Sequence, residues 1–283
     1  MQGVAMRIAI QGEMGSNSHM AAVEMLADQW GPFEIVACPA SSEVLRKVVA
    51  GEVDGAVLPI ENSLHGSVAE HADLFLTEPV RIVRESSMRI RHHVIALPGV
   101  RLQQIRSVIS HPVALAQCRR WQREHPEIAV IPFYDTAGGV KHLAAEGLRH
   151  VAAIAPALAA EVYGAEVVVA GVEDHAENYT RFHLVVREDL AVRENGGPAN
   201  KMSVAFAVEH RPGTLVRALR VLAIAGADLT RIESRPVPGT PWEYVFYVDF
   251  RFADESVATG ALEGLETCCG MVKELGSYVA AGT

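Results

Sequence analysis

The chain is poor in cysteine, and its four cysteines, Cys38, Cys118, Cys268 and Cys269, fall into no metal-ligand spacing. Neighbours such as Cys268 and Cys269 are poor partners for a structural bridge, so all four read as reduced thiols, the usage of a cytoplasmic protein. No apolar stretch approaches the roughly 20 residues that a membrane span needs. The first residues also lack the charged-then-apolar pattern of a secretory leader, so the expected location is cytoplasmic, with no membrane partner. Basic residues are in deficit: 25 Lys and Arg face 34 Asp and Glu, a formal net charge of −9. That balance offers no broad basic face to a phosphate backbone and argues against nucleic acid as a partner. Internal repeats and low-complexity tracts are missing too. What remains is an ordinary globular composition, 49% hydrophobic over 283 residues, enough for two domains and a sizeable core.

Short apolar runs alternate with helical patterns from Arg7 to about Arg187. Strands are expected at Arg7–Gln11, Glu34–Cys38, Val53–Ile60, Ser107–Ser110, Ile128–Phe133, Val151–Ala155 and Glu166–Ala170. Helices are expected at Ser18–Trp30, at Ser42–Ala50 with a Ser cap and Gly51 just past its end, and from Pro112, Thr136 and Pro156 onward. This alternation predicts a largely parallel sheet flanked by helices. Val80–Leu97 holds two extended runs with no helix between them, as a segment crossing between two lobes around a cleft would. The second lobe is placed at about residues 80–165. Residues 189–200, with Asn195-Gly196-Gly197-Pro198, read as a linker between a first domain at 1–188 and a second at 201–283. The second domain has the order β-α-β-β-α-β of a ferredoxin-like unit.

Chemistry concentrates where apolar strands end in polar side chains, the place where open α/β sheets bind ligands. Val57-Leu58-Pro59-Ile60 runs straight into Glu61-Asn62-Ser63; the alternative is a helix cap by Asn62 or Ser63. Ser110-His111-Pro112 repeats the pattern before a helix carrying Gln117 and Cys118, and His111 is either a proton donor or an exposed residue beside a Ser110 cap. Thr180-Arg181-Phe182 opens another apolar run. A guanidinium there can clamp a carboxylate and a hydroxyl can donate to a leaving oxygen, although an Arg at a strand start also suits a plain surface. Gly12-Glu13-Met14-Gly15-Ser16 joins the first strand to the first helix, where free N–H groups favour an anion. It lacks the third glycine of a dinucleotide fingerprint. His92-His93 lies on alternate faces of an extended run, and His65 and His71 have no ligand partners at a recognisable spacing, so no metal is expected. In the second domain, Gly213-Thr214-Leu215 opens a helix and Glu233-Ser234-Arg235-Pro236 ends a strand; together they could bracket a free amino acid.

Taken in order, these segments resemble the prephenate dehydratase family over nearly the whole chain. The matching pieces are Asp54 to Ser63 with Gly66-Ser67-Val68, Ser110-His111-Pro112 with Gln117-Cys118, Tyr163-Gly164, and Asn178-Tyr179-Thr180-Arg181-Phe182. Gly213-Thr214-Leu215 and Ile232-Glu233-Ser234-Arg235-Pro236 resemble the family's regulatory ACT domain. The resemblance implies an α/β fold: a two-lobed, periplasmic-binding-protein-like catalytic domain of type II, then a ferredoxin-like βαββαβ ACT domain. It implies a homo-oligomer, dimer or tetramer, and a reaction without metal or organic cofactor. Three places depart from the family pattern. Gly15-Ser16-Asn17-Ser18 lacks the aromatic that usually follows Gly-Thr, Gly138-Gly139 stands where Ala-Ala is usual, and Asp228 stands where Asn is usual.

The implied function is prephenate dehydratase, a carbon–oxygen lyase giving phenylpyruvate, water and CO2 in phenylalanine biosynthesis, with L-phenylalanine as effector. The alternatives are an arogenate dehydratase and a non-catalytic amino-acid-sensing protein of the same modules. The resemblance gives Thr180, Glu61, Asn62 and His111 catalytic roles. Arg181, Ser63, Ser110, Gln117, Gly15, Ser16 and Phe182 would bind substrate. Gly213, Thr214, Leu215, Asp228, Leu229, Glu233, Ser234, Arg235 and Pro236 would bind the effector.

Overall fold

The computed structural model describes residues 5–27, 31–191, 198–237 and 243–282. The expected end of the first helix at Trp30 and the middle of the linker, 192–197, lie outside the described residues. The chain opens with β1 (Met6–Gln11), α1 (Asn17–Leu26), β2 (Phe33–Cys38), α2 (Ser41–Val49), β3 (Gly55–Asn62), β4 (Gly66–Ser67), α3 (Ala69–Thr77) and β5 (Val80–Arg89). It continues through β6 (His93–Ala96), β7 (Ser107–Ser110), α4 (Pro112–Ala116), α5 (Arg119–Glu124), β8 (Ala129–Pro132), α6 (Thr136–Glu146), β9 (Val151–Ala155), α7 (Ala157–Tyr163) and β10 (Glu166–Val169). β11 (Tyr179–Arg187) follows. The last part holds β12 (Lys201–Ala207), α8 (Thr214–Ala225), β13 (Asp228–Pro236), β14 (Tyr244–Arg251), α9 (Glu255–Glu266) and β15 (Met271–Tyr278).

Three sheets result among the described residues. The first has the order β2-β1-β3-β11-β5 with β4 on β3, the second β10-β6-β9-β7-β8, and the third β13-β14-β12-β15. This is a two-lobed, periplasmic-binding-protein-like fold of type II followed by a ferredoxin-like unit. The chain crosses between lobes twice, at residues 90–92 and 170–178, so the cleft between the first two sheets is bordered by a double hinge. The expectation that the second lobe starts near residue 80 is corrected: β5 pairs with β11 along its length, from Val80 opposite Arg187 to Arg89 opposite Tyr179. The crossing comes one strand later than the sequence pattern placed it.

Local chemistry explains most element ends. α6 begins with the Asp135 side chain accepting from the Gly138 amide and ends at Gly147 in the left-handed region. α2 buries Val44, Leu45 and Val48, an apolar stripe at helical spacing. Its expected Ser cap is absent; the helix starts one residue earlier, after Ala40, and the Ser41 hydroxyl goes elsewhere. It bonds His71 Nε2 at 2.6 Å, while His71 Nδ1 contacts the Pro59 carbonyl. A carbonyl only accepts, so Nδ1 carries the proton and Ser41 donates to Nε2. Burial lowers the His71 pKa, in keeping with a neutral ring.

Two apolar cores lie on opposite faces of the first sheet. Ile8, Ile10, Val57, Phe182 and Leu184 pack under α1, and Ala9, Ala56, Leu58, Ile60 and Val185 pack on the other face with Ala205, Tyr247 and Leu275 of the third sheet. The C-terminal unit therefore sits against the first lobe, on the side away from α1. Among the described residues, no helix is long and apolar enough to cross a membrane, and no group of three or more His, Cys, Asp or Glu is arranged to hold a metal.

Candidate active site

β3 and β11 are antiparallel neighbours, with Asn62 opposite Thr180 and Glu61 opposite Arg181, but the next pair is Pro59 with Phe182. One extra residue, Ile60, has been inserted into β3. Ile60 and Glu61 consequently share a face, and Asn62 is returned to the face of Pro59. That bulge places Asn62 beside Thr180 at the cleft. Asn62 Nδ2 donates to Thr180 Oγ1 at 2.9 Å and to Asn178 Oδ1 at 2.7 Å. Asn62 Oδ1 accepts from the Leu64 and His65 amides at 3.0 and 3.1 Å, which fixes the amide's orientation. Since Thr180 Oγ1 accepts from Asn62, its own proton is free to be donated into the cleft.

Arg181 points the other way. Successive strand side chains alternate, so Thr180 and Phe182 line the cleft while Arg181 faces the C-terminal unit. Its guanidinium meets Glu61 at 2.9 Å, Glu85 at 3.0 Å and Asp249 at 2.7 Å. The expectation that Arg181 clamps a substrate carboxylate therefore fails on geometry, and Glu61, held by the same guanidinium, is drawn out of the cleft with it. Around Glu85, burial pushes the carboxyl up, but the His183 hydrogen bond and the Lys201 and Arg181 charges outweigh it and hold it well below the usual range. Asp249 is likewise held down: burial raises it, and Arg181, Arg231 and His183 overcome that.

The cleft encloses about 750 Å³ and is lined from both lobes. The first lobe supplies Ser16, Asn17, Ser18, Pro59, Asn62, Thr180 and Phe182, the second His111, Val113, Gln117, Tyr134, Asp135 and Lys141. α1, α4 and α6 all begin at it. A helix start leaves amides without helical partners, and their dipoles favour anions. A family model described as prephenate dehydratase matches residues 8–190. The chain belongs to the prephenate dehydratase family. It is 38% identical over 289 residues to "Arogenate dehydratase/prephenate dehydratase 2, chloroplastic" of Arabidopsis thaliana, covering 98% of this chain and 73% of that one. Among solved structures, the prephenate dehydratase of Arthrobacter aurescens in complex with L-Phe shares 33% identity at a TM-score of 0.86, over 97% of this chain and 90% of that chain. GqqA, described as a novel type of quorum quenching acylase, shares 32% identity at a TM-score of 0.86, over 97% and 98%.

Within this prephenate dehydratase fold, other residues singled out from the sequence take supporting places. The buried Ser110 donates to the Ile154 carbonyl at 2.6 Å, tying β7 to β9 beneath the cleft. Ser63 accepts from the Tyr179 amide at 2.9 Å and holds the hinge loop. Gly15 does not line the cavity. A Cβ there would lie 2.6 Å from Ala159 Cα, so the glycine, at φ +83°, lets the two lobes touch. His111 caps α4 by accepting from the Val113 amide through Nδ1 at 3.3 Å, which leaves Nε2 to carry a proton.

Several cavity residues carried no signal strong enough to find. The buried His92 lies on the first hinge crossing; its Nε2 meets Gln117 Oε1 at 2.7 Å, and Gln117 Nε2 meets His65 Nδ1 at 3.0 Å. An amide oxygen only accepts, so His92 donates through Nε2. Glu13 reaches across the cleft to Tyr134 at 2.9 Å and Lys141 at 2.8 Å. Gly138 explains itself here: a Cβ would meet Tyr134 Oη at 2.6 Å, so an alanine would displace the ring that bonds Glu13.

The expected effector segments are apart within one chain. Leu215 and Thr214 line a hollow of about 350 Å³ with His210, Tyr244 and Phe246, and Gly213 caps α8 at φ +86°. Arg235 instead binds Asp73 of the first lobe at 2.8 Å, and Glu233 pairs with Arg231. Ser234 and Pro236 are exposed on the edge strand β13, Asp228 is exposed at its start, and Leu229 packs into the domain core. Glu233, expected to receive an ammonium group, already has a cation.

Proposed function

We propose that this chain is a prephenate dehydratase, converting prephenate to phenylpyruvate, CO2 and water. The observation that carries the reading is the Asn62–Thr180 pair, which presents a hydroxyl proton to a cleft faced by three helix starts. In the reaction the bond from the ring to its carboxylate breaks and CO2 departs. The electron pair enters the ring, the C4–O bond breaks, and the departing hydroxide takes one proton to become water. Thr180 donates a hydrogen bond to that oxygen as charge builds on it. A threonine is too weak an acid to be the proton's source. Glu61 faces away; His111, whose Nδ1 accepts from the Val113 amide, adds a second hydrogen bond to that oxygen through Nε2, and the proton that completes the water is drawn from water in the open cleft. The substrate's carboxylates meet the first-turn amides at Asn17 and Ser18, since no arginine lines the cleft among the described residues. Phe182, Ile90, Pro59 and Val113 give the apolar surface on which the carboxylate that leaves loses its charge.

Arogenate would bring an ammonium group in place of a keto oxygen. Of the two carboxylates that line the cavity, Glu13 is already engaged by Lys141 and Tyr134 and Asp135 caps α6, which favours prephenate. Acyl transfer, the activity in GqqA's description, needs an activated nucleophile. The cavity thiol, Cys38, is buried and its pKa is raised, which favours dehydration again.

Phenylalanine regulation belongs to the same reading. The bound L-Phe of the Arthrobacter relative supports it, as does the hollow at Leu215. That hollow and Ser234 come together only if a second copy pairs through the edge strand β13 and α8. Exposed Val216 (68%), Ile224 (76%) and Ile232 (49%) suit such a homo-oligomer. Phenylpyruvate formed from prephenate and phenylalanine formed from arogenate, measured side by side, with the prephenate arm repeated in added L-phenylalanine, test the reaction, its substrate and its regulation. Turnover of neither substrate rejects the dehydratase reading.

A further inference from the structure

The first lobe and the C-terminal unit share a buried charge cluster that the chemistry above does not use. Arg181 is 13% exposed at its side chain, Glu85 3%, Asp249 2% and Lys201 6%. Lys201 Nζ bonds both oxygens of Glu85, at 2.9 and 2.8 Å. Asp249 is fixed from its own side: Ser203 Oγ donates to Asp249 Oδ1 at 2.7 Å, and Ser203 Oγ meets the Tyr278 hydroxyl at 2.6 Å. Three strands of the C-terminal unit, β12, β14 and β15, therefore hold one carboxylate against one guanidinium of β11.

Where that guanidinium sits is the point. The Arg181–Glu61 pair is adjacent in the ladder to the Thr180–Asn62 pair and borders the inserted Ile60. A bulge interrupts the hydrogen-bond ladder and bends its strand, so the backbone beside the reactive hydroxyl is the part of the ladder least held by its own bonds. Buried ion pairs are poor sources of net stability, because desolvation offsets their attraction, and their best-attested use is to fix one arrangement over others. Two other polar contacts between these domains end elsewhere. Arg235 binds Asp73 on α3, and Lys273 bonds the carbonyls of Phe75, Leu76 and Glu78. Those contacts hold the domains together without touching β11.

We infer that Asp249 is a positioning residue for the dehydration: through Arg181 it sets the register of β11 at the bulge and so the placement of Thr180 against Asn62. The inference rests on the dehydratase reading. It makes the C-terminal unit part of the active site's scaffold, and any effector that shifts β14 acts on Thr180 directly.

The test compares full-length Asp249→Asn with Asp73→Asn, which breaks a contact between the same domains at another place. Asp249→Asn lowers kcat roughly ten-fold or more with KM changed less than about three-fold, a loss in the chemical step rather than in binding. Asp73→Asn keeps wild-type kcat. Because Asp249 acts through Arg181, the kcat losses of Asp249→Asn and Arg181→Lys do not multiply in the double variant. Should Asp249→Asn fail to fold, Ser203→Ala, which frees Asp249 without removing its charge, shows a smaller kcat loss of the same kind. Wild-type kcat in whichever of Asp249→Asn and Ser203→Ala folds, an equal loss in Asp73→Asn, or multiplying losses overturns the inference. A wild-type chain without activity on prephenate overturns the functional reading and this inference with it.

Discussion

Thr180 and Arg181 are sequence neighbours whose side chains leave β11 on opposite faces of the first sheet, one into the cleft and one into a buried charge cluster with Glu85 and Asp249. A single strand thus carries the hydroxyl proposed to assist the reaction and a buried ionic contact between the domains. The alternation of a β-strand allows no other outcome for adjacent residues without a bulge between them.

Asn62→Ala separates the roles of that asparagine. It removes the donor to Thr180 and the acceptor for the Leu64 and His65 amides. Turnover falls by roughly ten-fold or more, while urea denaturation shows a loss of only about 1 kcal/mol, because these partners are partly reached by water. A large stability loss with unchanged turnover would mean that Asn62 serves the turn alone.

Gly15→Ala tests the closure of the lobes. The added Cβ meets Ala159 at a φ of +83°, and the left-handed backbone alone costs about 1–2 kcal/mol for a residue with a Cβ. KM for prephenate rises several-fold as the lobes are held apart, and the thermal midpoint falls. An unchanged KM would place the lobe contact outside the binding step.

Acid titration reports the buried cluster. Burial raises the Glu85 carboxyl, but His183, Lys201 and Arg181 hold it far below its unfolded value, about 4.3. A depressed carboxylate contributes stability that is complete above the unfolded value and is lost as pH falls toward the folded one. The wild-type thermal midpoint therefore drops steeply below about pH 4.3. Glu85→Gln, less stable at neutral pH because Lys201 loses its counter-charge, shows a shallower drop. Parallel curves for the two proteins would contradict the assignment.

Much of this was legible in the sequence, because the fold announces itself through local rules. The strand–helix alternation, the prolines opening α4 and the run into α7, and the polar residues ending β3 and β7 pointed to two lobes and a cleft, with the second lobe started one strand too early. Asn62, Thr180, His111, Gln117, Ser16 and Phe182 all line the one cavity. What the sequence withheld depends on pairings that no local pattern records. Nothing in Pro59-Ile60-Glu61-Asn62 marks Ile60 as an inserted residue, so the faces of Glu61 and Asn62 could not be assigned. Arg181 was read as a substrate clamp because an arginine beside a reactive threonine suits an anion, yet strand alternation already placed it on the other face. The partners that claim it, Glu85 and Asp249, lie 96 and 68 residues away. Glu13, His92 and Tyr134 are isolated polar residues whose meaning comes only from the opposing lobe or the hinge.

Phenylpyruvate formation from prephenate by Thr180→Val and Thr180→Ser, beside the wild type, bears most directly on the central claim. Valine keeps the shape and removes the donor, so kcat should fall about 10²–10⁴-fold, the usual contribution of a group assisting proton transfer. Serine keeps the hydroxyl and should retain most of the activity, with circular dichroism and the thermal midpoint close to wild type in both. Wild-type turnover in Thr180→Val would contradict the account.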